Sequence, residues 1–527
     1  MKFQNIVQFE YIIRRRKFID MKKYYYGVCA LSGIFLLIFI TGCSSIIDSR
    51  KQKTTAMQEF TLGDFKQAAQ SFDSKADSRD GTGDELMWRL EQGVLNFYAG
   101  DYKTSLKAFD KAEQLINDFD ERAKINLRAG AAEAGSALTN LNALPYKGFN
   151  YDRVLLNTYK ALDYFALSDP SSACVELRRA YEQQKAASKR FDSELKEINE
   201  QIETTNKKND DNKGSNLDFN DLLKNDKIQK SYNRILSKSN NKYGNFINPF
   251  VSYMLAIGYL SENDYNNAYV SFKNLYLMEP GNKLIERDLV TSAVRTGNDI
   301  PPKLSKIKPY NYSLNDKIVF VIFATGLAPA LKQVKVQFPF PYVGYTGFAY
   351  PELEYFPNYI KKAEIKNSTG DKYFTTVVSN MDSIISQEYS KLLPVLITRI
   401  AVSTLSKELA SIAAIEAAKY AGRQAGLPEF NNALGGNLAG VGGMALTSMY
   451  KYSFNTADTR CWETLPKEYQ VTHLPMPKNG ILFISNPESK LSDENKEIKL
   501  NTNKKITIVY IRAPSKNVFS IKIFEFN

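Results

Sequence analysis

Asp458, Arg460 and Trp462 stand two residues apart in the run Ala457-Asp458-Thr459-Arg460-Cys461-Trp462. On a strand, that spacing puts all three side chains on one face, where the carboxylate and guanidinium can pair beside an indole. Such a corner either ties the helical insertion described below to the sheet or offers a charge pair and an aromatic plane to a ligand. Other chemistry-bearing side chains are few. His473 is the only histidine in 527 residues, which argues against His-rich metal sites and leaves any histidine acid–base pair to one residue of an alternating strand. Gly435, Gly436, Gly440, Gly442 and Gly443 are not followed by Gly-Lys-Ser/Thr, so they read as close helix packing rather than a phosphate cradle. No catalytic residue, cofactor or metal ligand is assigned.

The four cysteines lack Cys-x-x-Cys spacing, so neither a zinc ribbon nor a disulfide framework is expected. Cys174 falls in a packed helix, as a small buried hydrophobe does, and a Cys174–Cys461 bond would have to bridge two domains. Cys43 is different. Lys22-Lys23 precedes an apolar run, Val28–Ile40, of 13 residues, the length of a secretory h-region and short of the roughly 20 that span a bilayer. The run ends in Ile40-Thr41-Gly42-Cys43, which resembles the bacterial lipobox, whose cysteine thiol accepts a diacylglyceryl group before cleavage. Residues 1–42 are therefore expected to be a signal peptide starting at Met21, Cys43 the lipidated terminus, and 43–55 a polar tether. Ser44 after the cysteine implies the outer membrane.

The net charge of +12 includes +5 from residues 1–42. The remainder is spread thinly and without interleaved aromatics, so nucleic acid is not an expected partner.

The elements that must position these residues fall into two halves. Gly63-Asp64-Phe65 and Gly100-Asp101-Tyr102 lie 37 residues apart, close to the tetratricopeptide period. Ser168-Asp169-Pro170 and Asn263-Asp264-Tyr265 repeat the turn, each followed by small residues at helical spacing. This predicts an all-α, tetratricopeptide-like solenoid over 56–298, with Glu182–Glu203 a charged, solvent-projecting helix and 204–218 a polar insertion. A proline-rich linker, 299–312, leads to a β-sheet or sandwich domain over 313–527. A helical insertion at about 383–451 interrupts that domain. The fold class is α + β, multidomain. Phe338-Pro339-Phe340-Pro341-Tyr342 should form a stiff, sticky edge through Phe338, Phe340 and Tyr342.

Three segments carry a family resemblance: Gly148-Phe149-Asn150-Tyr151-Asp152 with Leu155, Asn157 and Tyr159; Asn248-Pro249-Phe250 with Tyr253; and Ala457-Asp458-Thr459-Arg460 with Trp462, Leu465 and Pro466. With the lipobox they resemble a family of bacterial envelope lipoproteins that join tetratricopeptide-like repeats to a carboxy-terminal sheet domain. Cys461, where that family has a small polar residue, and the insertion after Glu203 depart from it. The resemblance implies architecture and address, and no catalytic residue.

The expected function is a lipid-anchored, non-enzymatic scaffold that binds partner proteins at the periplasmic face of the outer membrane, with the membrane itself engaged through the anchor. An accessory subunit of a cell-wall or export machine is the alternative, and an envelope-polymer enzyme a remote one.

Overall fold

Four turns of one design organise the amino-terminal half. Gly63, Gly100, Ser168 and Asn263 all have positive φ, at 91°, 90°, 61° and 61°, the left-handed setting that closes a helix. In each turn the next residue is an Asp whose backbone N–H reaches a carbonyl five residues back: Asp64 to Glu59, Asp101 to Asn96, Asp169 to Tyr164 and Asp264 to Tyr259. The same four Asp side chains accept N–H bonds from Gln67, Thr104, Ser172 and Asn267. One helix is thus stopped and the next capped within two residues.

The computed structural model describes residues 49–129, 144–211, 223–239, 243, 246–340, 344–424, 456–487, 496–516 and 518–527; within these, the side chains of 49, 123–129, 208–211, 338–340, 344–347, 407–419 and 421–424 are excluded. The turns join α1 (Ser49–Leu62) to α2 (Phe65–Asp77), α3 (Glu85–Ala99) to α4 (Tyr102–Ala129), α5 (Asn150–Ala166) to α6 (Pro170–Asp211), and α8 (Pro249–Ser261) to α9 (Tyr265–Met278). Between the last two pairs lies α7 (Asp226–Lys238), and α10 (Lys283–Thr296) follows α9. Two glycines let helices close up. A Cβ on Gly93 would lie 2.5 Å from the Phe109 ring, and one on Gly258 would lie 2.7 Å from Cys174 Sγ.

The carboxy-terminal half holds eleven described strands: β1 Ile318–Thr325, β2 Ala330–Phe340, β3 Gly344–Glu354, β4 Glu364–Asn367, β5 Lys372–Phe374, β6 Thr376–Asn380, β7 Glu468–Pro475, β8 Ile481–Ser485, β9 Lys496–Lys499, β10 Ile506–Ala513 and β11 Ser520–Phe526. The larger sheet runs β11-β10-β1-β7-β6, with β1 parallel to β10 and antiparallel to β7. A second sheet runs β5-β4-β8-β9. Alternation along β1 splits its side chains between two cores. Val319, Val321 and Phe323 pack with Ile365, Leu482, Ile484 and Ile498 between the sheets, while Ile318, Phe320 and Ile322 face the helices. β1 is therefore apolar from Ile318 to Ala324 and buried throughout.

The first helices of three of the four pairs meet that sheet. α3, α5 and α8 are buried almost end to end. Phe97 and Tyr98 of α3 reach Tyr510 of β10, Phe165 of α5 reaches Phe526 of β11, and Phe250 of α8 stacks on Tyr469 of β7 with ring centres 3.9 Å apart. The expected boundary at 299–312 is thus a change of secondary structure and not a break in packing: one hydrophobic core runs through both halves, and Lys53–Asn527 forms a single compact unit.

Two expectations need correction. Glu182–Glu203 is not a free charged helix. α6 carries Ala187, Phe191, Leu195, Ile198 and Ile202 on one stripe, and they pack against Phe246 and against Leu392, Val395 and Val402 of α11 (Met381–Gln424). The polar insertion is helical through Asp211, because that stripe already holds the helix in place. The segment read as a sticky edge lies in a two-stranded ribbon, which leaves β2 an edge strand: β2 pairs with β3 along its length, with Phe338 opposite Thr346 and Phe340 opposite Gly344. Tyr342 lies outside the described residues, as do Cys43 and the glycine-rich segment 434–449.

Candidate functional site

Residues 456–467 form no regular strand. They cross the interface between the helical half and the sheet as an irregular strap, nearly all buried, so Asp458, Arg460 and Trp462 do not share a strand face as the sequence suggested. Side chains and neighbouring elements satisfy its backbone, in place of a ladder. Ala457 N–H donates to Gln333 Oε1, Glu463 N–H to Glu91 Oε1, Ala328 N–H to the Leu465 carbonyl, and Lys467 N–H to the Thr325 carbonyl.

Arg460 is the hub of the strap. Its Nε and Nη2 donate to the two Asp458 carboxylate oxygens at 2.8 and 2.6 Å, and its Nη1 donates to Asp84 Oδ1 at 2.8 Å and to the Leu144 carbonyl at 2.9 Å. The expected pair with Asp458 therefore forms, but Arg460 ties the strap to the segment before α3, not the helical insertion to the sheet. Burial opposes the guanidinium charge, and Asp458 and Asp84 outweigh it, holding the group above its ordinary range. Trp462 points the other way, against Phe109 and Tyr159, with its indole N–H on Thr464 Oγ1.

A second charged cluster lies on the same strap. Lys53 of α1 is fully buried, with Nζ 2.6 Å from Glu463 Oε1, 3.0 Å from Glu91 Oε1 and 2.9 Å from the Cys461 carbonyl. Burial works against its charge, and the two carboxylates more than compensate. Glu91 also accepts from Thr464 Oγ1 at 2.7 Å. Arg512 of β10 has no solvent exposure and no carboxylate partner among the described residues. It donates to the Ala324 and Thr464 carbonyls, and its guanidinium lies over Phe60 and Tyr98.

His473 is not a surface residue. Its Nε2 meets Asp288 Oδ1 at 2.7 Å, Tyr253 donates to Asp288 Oδ2 at 2.7 Å, and Tyr312 OH lies 3.2 Å from His473 Nδ1. Helix α8, helix α10, the linker and β7 are joined in one buried chain of polar atoms. Sequence reasoning missed it because its members come from four elements.

Cys174 and Cys461 are both free and buried. Burial pushes each thiol up to about 12, so neither is a nucleophile at neutral pH. Among the described residues no group of three or more His, Cys, Asp or Glu is arranged to hold a metal, and no helix is long and apolar enough to cross a membrane. The arrangement can hold the helical half, the strap and the sheet in one register. No family model matches the chain, and no curated protein matches it significantly.

Proposed function

We propose that the protein is a lipid-anchored scaffold that binds partner proteins at the periplasmic face of the outer membrane, built on a tetratricopeptide-like array. The observation that carries this reading is the fourfold recurrence of one turn, with positive φ, a five-residue return bond and an Asp cap. Arrays of such hairpins present extended faces to partners. The address rests on the Thr41-Gly42-Cys43 sequence alone.

The sheet covers the faces of α3, α5 and α8, so the partner surface falls to the outer helices. On α9, Val270 and Leu277 lie seven residues apart on one helical face and are 47% and 69% exposed. The test is co-purification from detergent-solubilised membranes. The wild-type chain should retain a stoichiometric protein partner, and Val270→Glu with Leu277→Glu should lose it at an unchanged melting temperature. A chain that purifies alone overturns the scaffold reading. A partner drawn from a cell-wall or export complex identifies the accessory-subunit variant of it.

A further inference from the structure

The amino terminus of α5 is capped by a carboxylate from the far end of the chain. The first backbone N–H groups of a helix have no intrahelical acceptor. Here the Asn150 N–H donates to Glu388 Oε1 at 2.9 Å, and Asn150 Nδ2 donates to the same oxygen at 3.0 Å. Glu388 belongs to α11 and is buried. Two residues into α5, Asp152 Oδ2 accepts from Tyr146 OH at 2.6 Å and from the Phe149 N–H at 2.8 Å, while its Oδ1 has no hydrogen-bond partner among the described residues. An apolar seam lined by Phe149, Tyr151, Leu331, Leu353, Ile385 and Tyr389 closes over them.

We propose that this seam, where α11 docks on the first turn of α5, is a pH-responsive latch that holds α11 more tightly at mildly acidic than at alkaline pH.

The argument rests on how the surrounding charges are spent. Glu91 of α3 and Arg153 of α5 face Asp152, but Arg153 is held bidentately by Asp120 of α4 at 2.7 and 3.0 Å. From α6, Glu194 faces Glu388, and Arg190 donates to Asn150 Oδ1 and Gln183 Oε1 instead of to either carboxylate. Lys147, Glu197 and Arg399 of α11 face Glu194. On the β3 and strap side, Glu352, Asp458 and Cys461 face Tyr389 and Lys467 pairs with Asp382, which Lys238 of α7 also faces. Arg190 attracts Glu388 and Arg153 attracts Asp152 through space, but among the described residues no cation forms an ion pair with either carboxylate, while the anions converge. Burial, with Glu194 and Asp152 adding to it, pushes Glu388 up to about 7, and burial pushes Asp152 to about 7 as well.

The sign follows. Once α11 lifts away, the Glu388 carboxyl regains water and its ordinary value of 4.5. The docked state therefore binds more protons between about pH 4 and 7, and docking weakens as pH rises through that window and up to 7. Between pH 6 and 8 one such group shifts the docking equilibrium about tenfold.

The experiment is hydrogen exchange by mass spectrometry on the full chain, at pH 6 and pH 8, with rates corrected for the intrinsic pH dependence of exchange. Protection of residues 381–406 should fall at least about tenfold at pH 8, while protection of β1 and β10 changes little. Glu388→Gln keeps an acceptor for Asn150 and removes the charge, so it should shrink the difference; Asp152→Asn should shrink it too. Equal corrected protection of 381–406 in the wild type at the two pH values overturns the proposal without need of any variant. So does a full difference that survives in Glu388→Gln.

Discussion

His473 Nε2 and Asp288 Oδ1 lie 2.7 Å apart across the interface between the sheet and α10, and Asp288 spends its other oxygen on Tyr253. Asp288→Ala leaves both donors buried and unanswered, at a cost of about 1–3 kcal/mol for each. Asp288→Asn, which retains an acceptor, should lose less. Urea unfolding midpoints of the two variants check this; equal midpoints for wild type and Asp288→Ala would show that the contact is not formed in solution.

Gly258→Ala should destabilise by about 1–3 kcal/mol through overpacking, because its Cβ would sit 2.7 Å from Cys174 Sγ. Cys174→Ala makes room, so the double variant should recover most of the loss. A thermodynamic cycle over the four proteins reads the coupling directly.

Arg460→Ala strands Asp458 and Asp84 at a mostly buried position, and a loss of about 3–5 kcal/mol is expected. Arg460→Lys should recover only part of it, since one ammonium cannot reproduce the forked contact. If instead folding is intact and only partner capture disappears, Arg460 is a recognition residue and the structural reading of the strap is wrong.

Global stability should fall as pH rises. Asp152 is held at about 7 against an ordinary 3.8, chiefly by burial, so its contribution is unpenalised below about pH 4, worsens through the window, and is worst above 7. Asp152→Asn should flatten the slope of unfolding free energy between pH 5 and 8, measured by denaturant titration at each pH.

Mass spectrometry of the mature amino terminus should find acylated Cys43, and Cys43→Ser should move the protein to the soluble fraction. An unmodified terminus at another residue removes the anchor from the proposal.

Local chemistry was legible and distant pairing was not. The four turns could be read because positive φ and Asp capping are properties of two adjacent residues. β1 announced itself as a continuous apolar run from Ile318 to Ala324, and β10 as a β-branched and aromatic run from Ile506 to Ile511. β4 and β9 did not, since each buries a single side chain, Ile365 and Ile498 respectively. The stripe on α6 was hidden among charges, and its partner α11 begins 170 residues after Asp211. The strap was misread because spacing by two suggested a strand, whereas its hydrogen bonds go to Gln333, Glu91 and Thr325 on other elements. Arg460 was named correctly, but Asp84, which decides what it ties together, is 376 residues away.

The strand order of the larger sheet sets a timetable for folding. Ile318 of β1 pairs with Pro475 and with Ile506, contacts that span 157 and 188 residues. The central strand has no neighbour until the last strands are available, and closing loops of that size is slow. The turns of the helical half close over a handful of residues each, so that half can assemble early, with the apolar faces of α3, α5 and α8 uncovered in the interval. Pulse-labelled refolding should show amides of α3–α6 protected well before those of β1 and β10. That interval is when the chain is most exposed to aggregation and has most need of a chaperone.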